Sequence, residues 1–213
     1  PGQTVILKCF YKGTIGNENL ELTQEEWEWL YSRKDDIEID GVLYERNMRE
    51  VIQKMHDKEK DETYKPFTQL VLVLGRRGTK TLMASIISVY EAYKLLVINE
   101  GNPHKYYNLP DDDEIAIINV ALSQKQAGRL FGQVLSRLRN SPFFQGRIAK
   151  ENIDSVRLYT DKDMVKKAEG SVLNVPGSIL LLCGHSNPDS LAGYSAILLL
   201  FDEIAFYDET GKV

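Results

Sequence analysis

The sequence has few cysteines, no surplus of basic residues and no long apolar run. Cys9 and Cys183 are the two cysteines among 213 residues, which excludes a disulfide framework or a cysteine-spaced metal site, and we expect both to be buried thiols. The formal net charge of −5 excludes a dominant basic surface but not a local basic patch. Without a membrane-spanning run or a signal peptide, no membrane partner is expected. The length suits one domain with a core, with or without an appendage.

The stretch QLVLVLGRRGTKT, residues 69–81, has the layout of a phosphate-binding loop. Its run from Leu70 to Leu74 predicts a strand buried on both faces, as in parallel sheets. A helix is predicted from Leu82 to Leu96, because this segment contains neither Gly nor Pro. Between them lie the residues that we assign to nucleotide binding: Gly75, Arg76, Arg77, Gly78, Thr79, Lys80 and Thr81.

This order of elements suits a phosphate group, because backbone N–H groups of the loop and of the helix start converge on one point. Lys80 would add positive charge at the β- and γ-phosphates, and the Thr81 hydroxyl would hold Mg²⁺. The usual pattern has Gly directly before the Lys, where this chain has Thr79, and Gly reaches positive φ more easily than Thr. The alternative is a plain basic turn between a strand and a helix.

A second apolar strand, predicted from Ala196 to Phe201, ends in Asp202 and Glu203. Ligands in open α/β sheets bind at the carboxyl ends of the strands, so we expect these carboxylates to meet the phosphate loop. Asp202 would hold Mg²⁺ through water or the Thr81 hydroxyl, and Glu203 would polarise the attacking water. The alternative is an acidic helix start after a strand.

Strands and helices alternate along the rest of the chain. Strands predicted at 114–121, 156–159 and 179–183, with a helix capped by Ser123, indicate an α/β fold whose mainly parallel sheet is flanked by helices. With the two motifs, this is the fold class of a P-loop NTPase that carries its own catalytic glutamate. Residues 67–213 are predicted as the ATPase core. Residues 1–66 are predicted as a helical or arm region packed on it, with a short strand or arm near Val5, a helix capped at Thr23 and a helix from Leu43 to Met55.

Gln69 precedes the first core strand, close to Tyr64 and Phe67. In several ATPase families an aromatic residue and a Gln upstream of the phosphate loop hold adenine, so Gln69 is a candidate for that contact. A turn packed under the sheet is the alternative.

Four segments in order carry a resemblance to a known family: GRRGTKT, LMASIISVYEAYKLL, EIAIINVALSQKQAGRLF and SNPDSLAGYSAILLLFDEIAFY. They resemble the large terminase subunit of tailed bacteriophages, the ATPase that pumps double-stranded DNA into procapsids. The resemblance covers residues 67–207. Family members often read GRRSGKT at the loop, so Arg76, Arg77, Lys80 and Thr81 match, whereas Gly78 and Thr79 depart.

The resemblance implies ATP and Mg²⁺ as cofactors, with hydrolysis coupled to DNA translocation by a homo-oligomeric ring docked on the portal protein. It implies Arg76 or Arg77 as a sensor of the γ-phosphate and the small terminase subunit as a further partner. The expected location is the host cytoplasm, with the protein absent from, or transient on, the virion. Family members also carry a coupling segment and a nuclease, so we expect the core to continue beyond Val213.

Two other hypotheses stay open. One is a nucleotide-binding module that does not turn over, with Thr79 as the lesion, and the other is a different P-loop motor such as a helicase. Some terminases supply an arginine in trans from a Leu-Arg-Gly sequence, where this chain has Leu191-Ala192-Gly193. We rank Arg129 first among the alternatives, because it lies early in a helix that follows a core strand; a merely solubilising role is the other interpretation. The remaining candidates are Arg137, Arg139 and Arg157.

Overall fold

The computed structural model describes residues 2–14, 16–33, 37–39, 42–44, 48–57, 66–72, 79–121, 123–170, 175–185 and 193–202. The chain divides into two compact units, residues 1–73 and 74–213. The division predicted from the sequence lies after residue 66.

The N-terminal unit contains α1 (Gly2–Tyr11), α2 (Gln24–Tyr31), β1 (Ile37–Ile39), β2 (Val42–Tyr44) and α3 (Met48–Asp57). The two strands form an antiparallel hairpin. Thr23 opens α2 with a capping box, in which its side chain accepts a hydrogen bond from the Glu26 N–H and the Glu26 carboxylate accepts one from the Thr23 N–H. Apolar side chains from all three helices form one buried cluster: Val5, Cys9, Leu22, Leu30, Ile52 and Met55.

The second unit contains α4 (Lys80–Val97), α5 (Pro103–Tyr107), β3 (Ile115–Ala121), α6 (Gln124–Asn140), β4 (Ile148–Glu151), β5 (Ser155–Leu158), α7 (Asp161–Ala168), β6 (Ile179–His185) and β7 (Ser195–Phe201). Its five-stranded sheet has the order β4-β5-β6-β3-β7. Strands β6 and β7 pair in parallel with β3, whereas β5 is antiparallel to β4 and to β6. The α/β fold class is confirmed, with a mixed sheet whose core is parallel.

Helices α4 and α6 pack on one face of this sheet. Ile115 and Ile117 of β3 join their apolar side chains in the main core, while Ala116, Ile118 and Val120 lie on the opposite face. This alternation follows from the period of two in a strand. The pairing between β3 and β7 contains a bulge, because Ala116 is opposite Ala196 but Ile117 is opposite Leu198.

The chain after α4 makes a left-handed turn. Asn99, Glu100 and Gly101 have φ values of 47°, 57° and 79°. A side chain at position 101 would collide with Asp161, so only Gly fits there. Asn99 and Glu100 occupy a region that costs an L-residue about 1–2 kcal/mol.

Most predicted elements of the second unit are confirmed: the long helix after the loop, the strands β3, β5, β6 and β7, and the helix capped by Ser123. Both cysteines are free and buried, as expected. Strand β4 and helix α5 were not predicted. Both are short and carry few apolar residues, so their sequences give no clear period.

Three predictions for the earlier residues are wrong. The segment around Val5 is helix α1 rather than a strand; Val5 and Cys9, four positions apart, share its buried face. Leu43 belongs to β2, and the helix starts only at Met48. The helical spacing of apolar residues from Leu43 to Met55 therefore spans two different elements. Residues 70–72 have no regular structure, and Val71 is 80% exposed. An apolar run forms a buried strand only where neighbouring strands pair with it, and no described strand pairs with residues 70–72.

By length and composition alone, the helical segment Lys80–Gly101 is long and apolar enough to cross a membrane. A single helix of this kind is weak evidence, since core helices of soluble proteins pass the same test. Met83, Ile87, Leu95 and Leu96 on its inner side are buried.

Candidate nucleotide-binding site

Helix α4 runs alongside α6 in the same direction. Ser85 Oγ lies 3.4 Å from Gln133 Oε1, and further along the chain the ring of Tyr93 in α4 is 4.7 Å from that of Phe143, three residues after the end of α6. Residue numbers therefore increase together on the two elements. Because α6 begins three residues after β3 ends, its first turn lies at the carboxyl end of that strand. The first turn of α4 must point to the same edge of the sheet.

The contact between α4 and β3 locates the helix start more closely. Ser88 Oγ lies 2.9 Å from Asn119 Oδ1. Lys80 is eight positions before Ser88, or about 12 Å along a helix. Asn119 is two positions before the end of β3, or about 7 Å along a strand. Lys80 and Thr81 therefore lie at, or just beyond, the carboxyl edge of the sheet.

Asp202 reaches the same edge from β7. Its backbone N–H donates to the Val120 carbonyl at 2.9 Å, which extends the parallel ladder one position beyond Phe201. The Asp202 side chain is half-buried. The structure thus brings Lys80 and Thr81 to the same edge of the sheet as Asp202, which lies far from them in the sequence.

Thr79 has the backbone conformation that the usual pattern reserves for Gly. Its φ is 61° and its ψ is 23°, in the left-handed region. For a β-branched residue this is an outlier, and such strain is concentrated at ligand sites and switches. Position 79 thus has the positive φ that Gly adopts easily, in a residue that is unsuited to it.

The first turn of α4 has the electrostatics that a phosphate requires. It contains no acidic side chain, and the Thr79 side chain does not cap it. The first N–H groups of a helix have no intrahelical acceptor and carry the positive end of its dipole. With the Lys80 ammonium added, this helix start fits a phosphate anion.

The oxygen atoms at this edge suit Mg²⁺. Thr81 offers a hydroxyl and Asp202 a carboxylate, and hard cations prefer oxygen ligands. Within the described ranges, no group of three His, Cys, Asp or Glu side chains could hold a metal. Mg²⁺ that binds together with a nucleotide keeps several waters and takes one or two protein ligands plus phosphate oxygens.

Several predicted site residues lie outside the described residues, namely Gly75, Arg76, Arg77, Gly78 and Glu203. Their assignments stay predictions. Gln69 is described, is exposed and has no regular secondary structure, and its proposed contact with adenine also stays a prediction.

The four candidate arginines differ in what they already bind. Arg139 pairs with Glu151 and Arg157 with Glu114. Arg137 donates from Nε to Ser85 Oγ at 3.0 Å. Arg129 is exposed, and among the described residues no ion pair involves it. Its place in the second turn of α6 is also the nearest to the carboxyl edge, which favours the ranking made from the sequence.

Sequence reasoning missed the polar contact between Ser88 and Asn119. The signal that could have found it is a single Asn inside the apolar strand IAIINVA. A buried amide needs a partner, so such a residue indicates a specific contact.

A helix start with Lys-Thr, facing a carboxylate at the end of a parallel strand, defines a P-loop nucleotide-binding domain. A family model matches residues 32–210, and its description is "Uncharacterized protein MJ0330, N-terminal P-loop domain". The match covers more than half of the chain, so the protein belongs to this family. Comparison with curated proteins and with solved structures gives no match. The chain is therefore a P-loop NTPase domain, a class that generally binds and hydrolyses nucleotides, typically with Mg²⁺.

Proposed function

We propose that this protein hydrolyses ATP with Mg²⁺. The observation that carries the proposal is the common position of Lys80, Thr81 and Asp202 at the carboxyl edge of the sheet, deduced from the Ser88–Asn119 contact and the Asp202–Val120 hydrogen bond. Two elements that are far apart in sequence thereby deliver a phosphate-binding and a metal-binding group to one place.

Each residue has a distinct task in this proposal. Lys80 and the first N–H groups of α4 hold the β- and γ-phosphates. Thr81 and Asp202 hold the metal ion, which when bound would neutralise charge on the phosphate oxygens. Glu203, next in the chain, orients and polarises the attacking water. Arg76 or Arg77 senses the γ-phosphate, and Gln69 contacts adenine.

We further assign this hydrolysis to a DNA-packaging motor. The support is the resemblance of residues 67–207 to the large terminase subunit, in four segments that occur in the family's order. In this assignment a ring of copies docks on the portal protein, binds the small terminase subunit and translocates double-stranded DNA in the host cytoplasm.

The first experiment compares ATP binding and steady-state hydrolysis in the parent and in Lys80→Ala. Removal of the ammonium should weaken binding and abolish turnover. Lys105→Ala is the matched control, since it removes the same charge from an exposed position in α5. Normal hydrolysis by Lys80→Ala would show that the loop has another role.

The second experiment separates binding from chemistry. Glu203→Gln keeps the shape of the side chain but loses its basicity, so ATP should still bind while kcat falls roughly 10²–10⁴-fold. Asp202→Asn should instead weaken the Mg²⁺ dependence of ATP binding. If Glu203→Gln lost binding and Asp202→Asn only lost turnover, the two roles would be exchanged.

The conformation of Thr79 is relevant to the alternative, a nucleotide-binding module without turnover. A parent protein that binds ATP and shows no hydrolysis, even when its chain is extended beyond Val213, would support that alternative. The motor assignment has its own test. With its acidic net charge of −5, the isolated chain should bind duplex DNA weakly and in a salt-dependent way. Tight, salt-insensitive binding by the monomer would contradict a role that needs the assembled ring.

A further inference from the structure

A buried polar contact connects the P-loop helix to the sheet, beside a buried thiol. Ser88 of α4 is 0% exposed, and Asn119 of β3 and Cys183 of β6 are each 1% exposed. Asn119 and Cys183 are paired residues of neighbouring parallel strands, so their side chains emerge side by side on the face that carries α4. The surrounding contacts between this helix and the sheet are apolar.

The hydrogen bonds of this group have one consistent arrangement. Ser88 Oγ lies 2.8 Å from the Ala84 carbonyl and 2.9 Å from Asn119 Oδ1. A hydroxyl has one proton and cannot donate to both. With the amide in this orientation, Asn119 Nδ2 has no partner, which is costly for a buried donor.

Turning the Asn119 amide by 180° removes this conflict. Nδ2 then donates to Ser88 Oγ, and the Ser88 hydroxyl donates to the Ala84 carbonyl. Burial raises the pKa of the neighbouring Cys183 thiol to about 12, so it stays protonated beside the amide. The result is a directed chain of hydrogen bonds from β3 to α4.

We propose that Asn119 is a positioning residue, which fixes the register of α4 on the sheet and thereby sets Lys80 and Thr81 relative to Asp202. The inference rests on the proposed function. Apolar packing is non-directional and tolerates small shifts of the helix along the sheet, whereas this hydrogen-bond chain exists at one register only. Asn119 also precedes Val120, whose carbonyl holds the Asp202 N–H at 2.9 Å. One link thus joins both halves of the site.

The test uses the full chain with Ser88→Ala, Asn119→Leu and the double variant. The double variant replaces both partners by apolar groups, which can be nearly neutral for stability. It should fold and bind ATP in EDTA within about twofold of the parent, because metal-free binding does not depend on the position of Asp202. Its kcat with Mg²⁺ should fall about 10–100-fold, since small displacements of catalytic groups have effects of this size. The control is Ser85→Ala, which removes an equally buried hydroxyl of α4 that contacts α6 and should leave kcat unchanged.

A second readout is independent of nucleotide. The unfolding equilibrium constants of the parent, the two single variants and the double variant form a double-mutant cycle. For a direct hydrogen bond between Ser88 and Asn119, the effects of the two substitutions on that constant should deviate from additivity by about fivefold or more. Absence of coupling overturns the link, whether or not the chain hydrolyses ATP. A parent that fails to bind ATP overturns the proposed function, and the cycle alone then decides on the link. Coupling with parental kcat in the double variant overturns the positioning role.

Discussion

Replacing Thr79 by Gly tests whether the start of the P-loop helix is strained. Thr79 has a φ of 61°, and an L-residue in the left-handed region costs about 1–2 kcal/mol relative to the right-handed one. Gly avoids this cost but loses about 0.5–1 kcal/mol more conformational entropy on folding. The difference predicts that Thr79→Gly stabilises the protein by about 0.5–1 kcal/mol, or about 1–4 °C in Tm for a chain of this size.

The assay is reversible denaturation of the parent, Thr79→Gly and Thr79→Ala, with ATP affinity measured on each. Ala is the matched control because it keeps the Cβ atom, and with it most of the penalty at positive φ. ATP affinity should change little in Thr79→Gly, since the parent already has the required backbone conformation.

Two outcomes would refute this reasoning. If Gly and Ala shift the midpoint equally, the effect comes from the loss of the Thr side chain and not from the backbone. If Thr79→Gly gains nucleotide affinity by an order of magnitude or more, Thr79 is a handicap to binding, and the module without turnover becomes the better description.

Three further predictions concern other parts of the chain. Mixing Arg129→Ala with Glu203→Gln subunits should restore part of the ATP hydrolysis, because a shared site can then combine both intact residues; parental activity of Arg129→Ala alone contradicts this role. Glu100→Gly should stabilise the protein by about 0.5–1 kcal/mol and so raise its denaturation midpoint, because Glu100 has a φ of 57° in a region that is costly for an L-residue. A lowered midpoint would contradict this prediction. The hydrogen bond from Lys8 holds the pKa of Glu26 below its ordinary value. The stabilisation of the folded state by ionised Glu26 should therefore be complete above about pH 4.3 and be lost as the pH falls through the folded-state pKa. Tryptophan fluorescence should show this loss in the parent and not in Glu26→Gln.

The core of the second unit could be predicted because its elements have strong periods and clear ends. Ser123 caps α6 by accepting from the Gln126 N–H, and an apolar run interrupted only by Asn119 forms β3, buried along its whole length. These signals are local, so the sequence alone contains them.

Other features depend on partners that local sequence does not specify. Residues 70–72 have the composition of a strand, but strand formation requires a neighbour at the correct distance. The contact of Ser88 with Asn119 spans 31 positions, and no motif marks either residue. The position of Lys80 at the carboxyl edge of the sheet was deduced from the contact between Ser88 and Asn119, whereas its motif indicates only that it binds phosphate.

The bulge in β7 decides from which side of the sheet Asp202 emerges. Its extra residue, Ile197, makes Phe201 pair with Val120, so Asp202 comes opposite Ala121, on the face that carries α4. If Ile197 instead paired with Ile117 and β7 continued without the bulge, Phe201 would stand opposite Ala121, and the Asp202 carboxylate would turn to the far face, because side chains alternate along a strand. Deleting one residue between Leu198 and Leu200, after the bulge, would bring Asp202 opposite Val120 and so separate the metal ligand from Lys80 and Thr81, while leaving every catalytic side chain in the sequence. An odd or even residue count in one short strand thus controls whether the two halves of the site can meet.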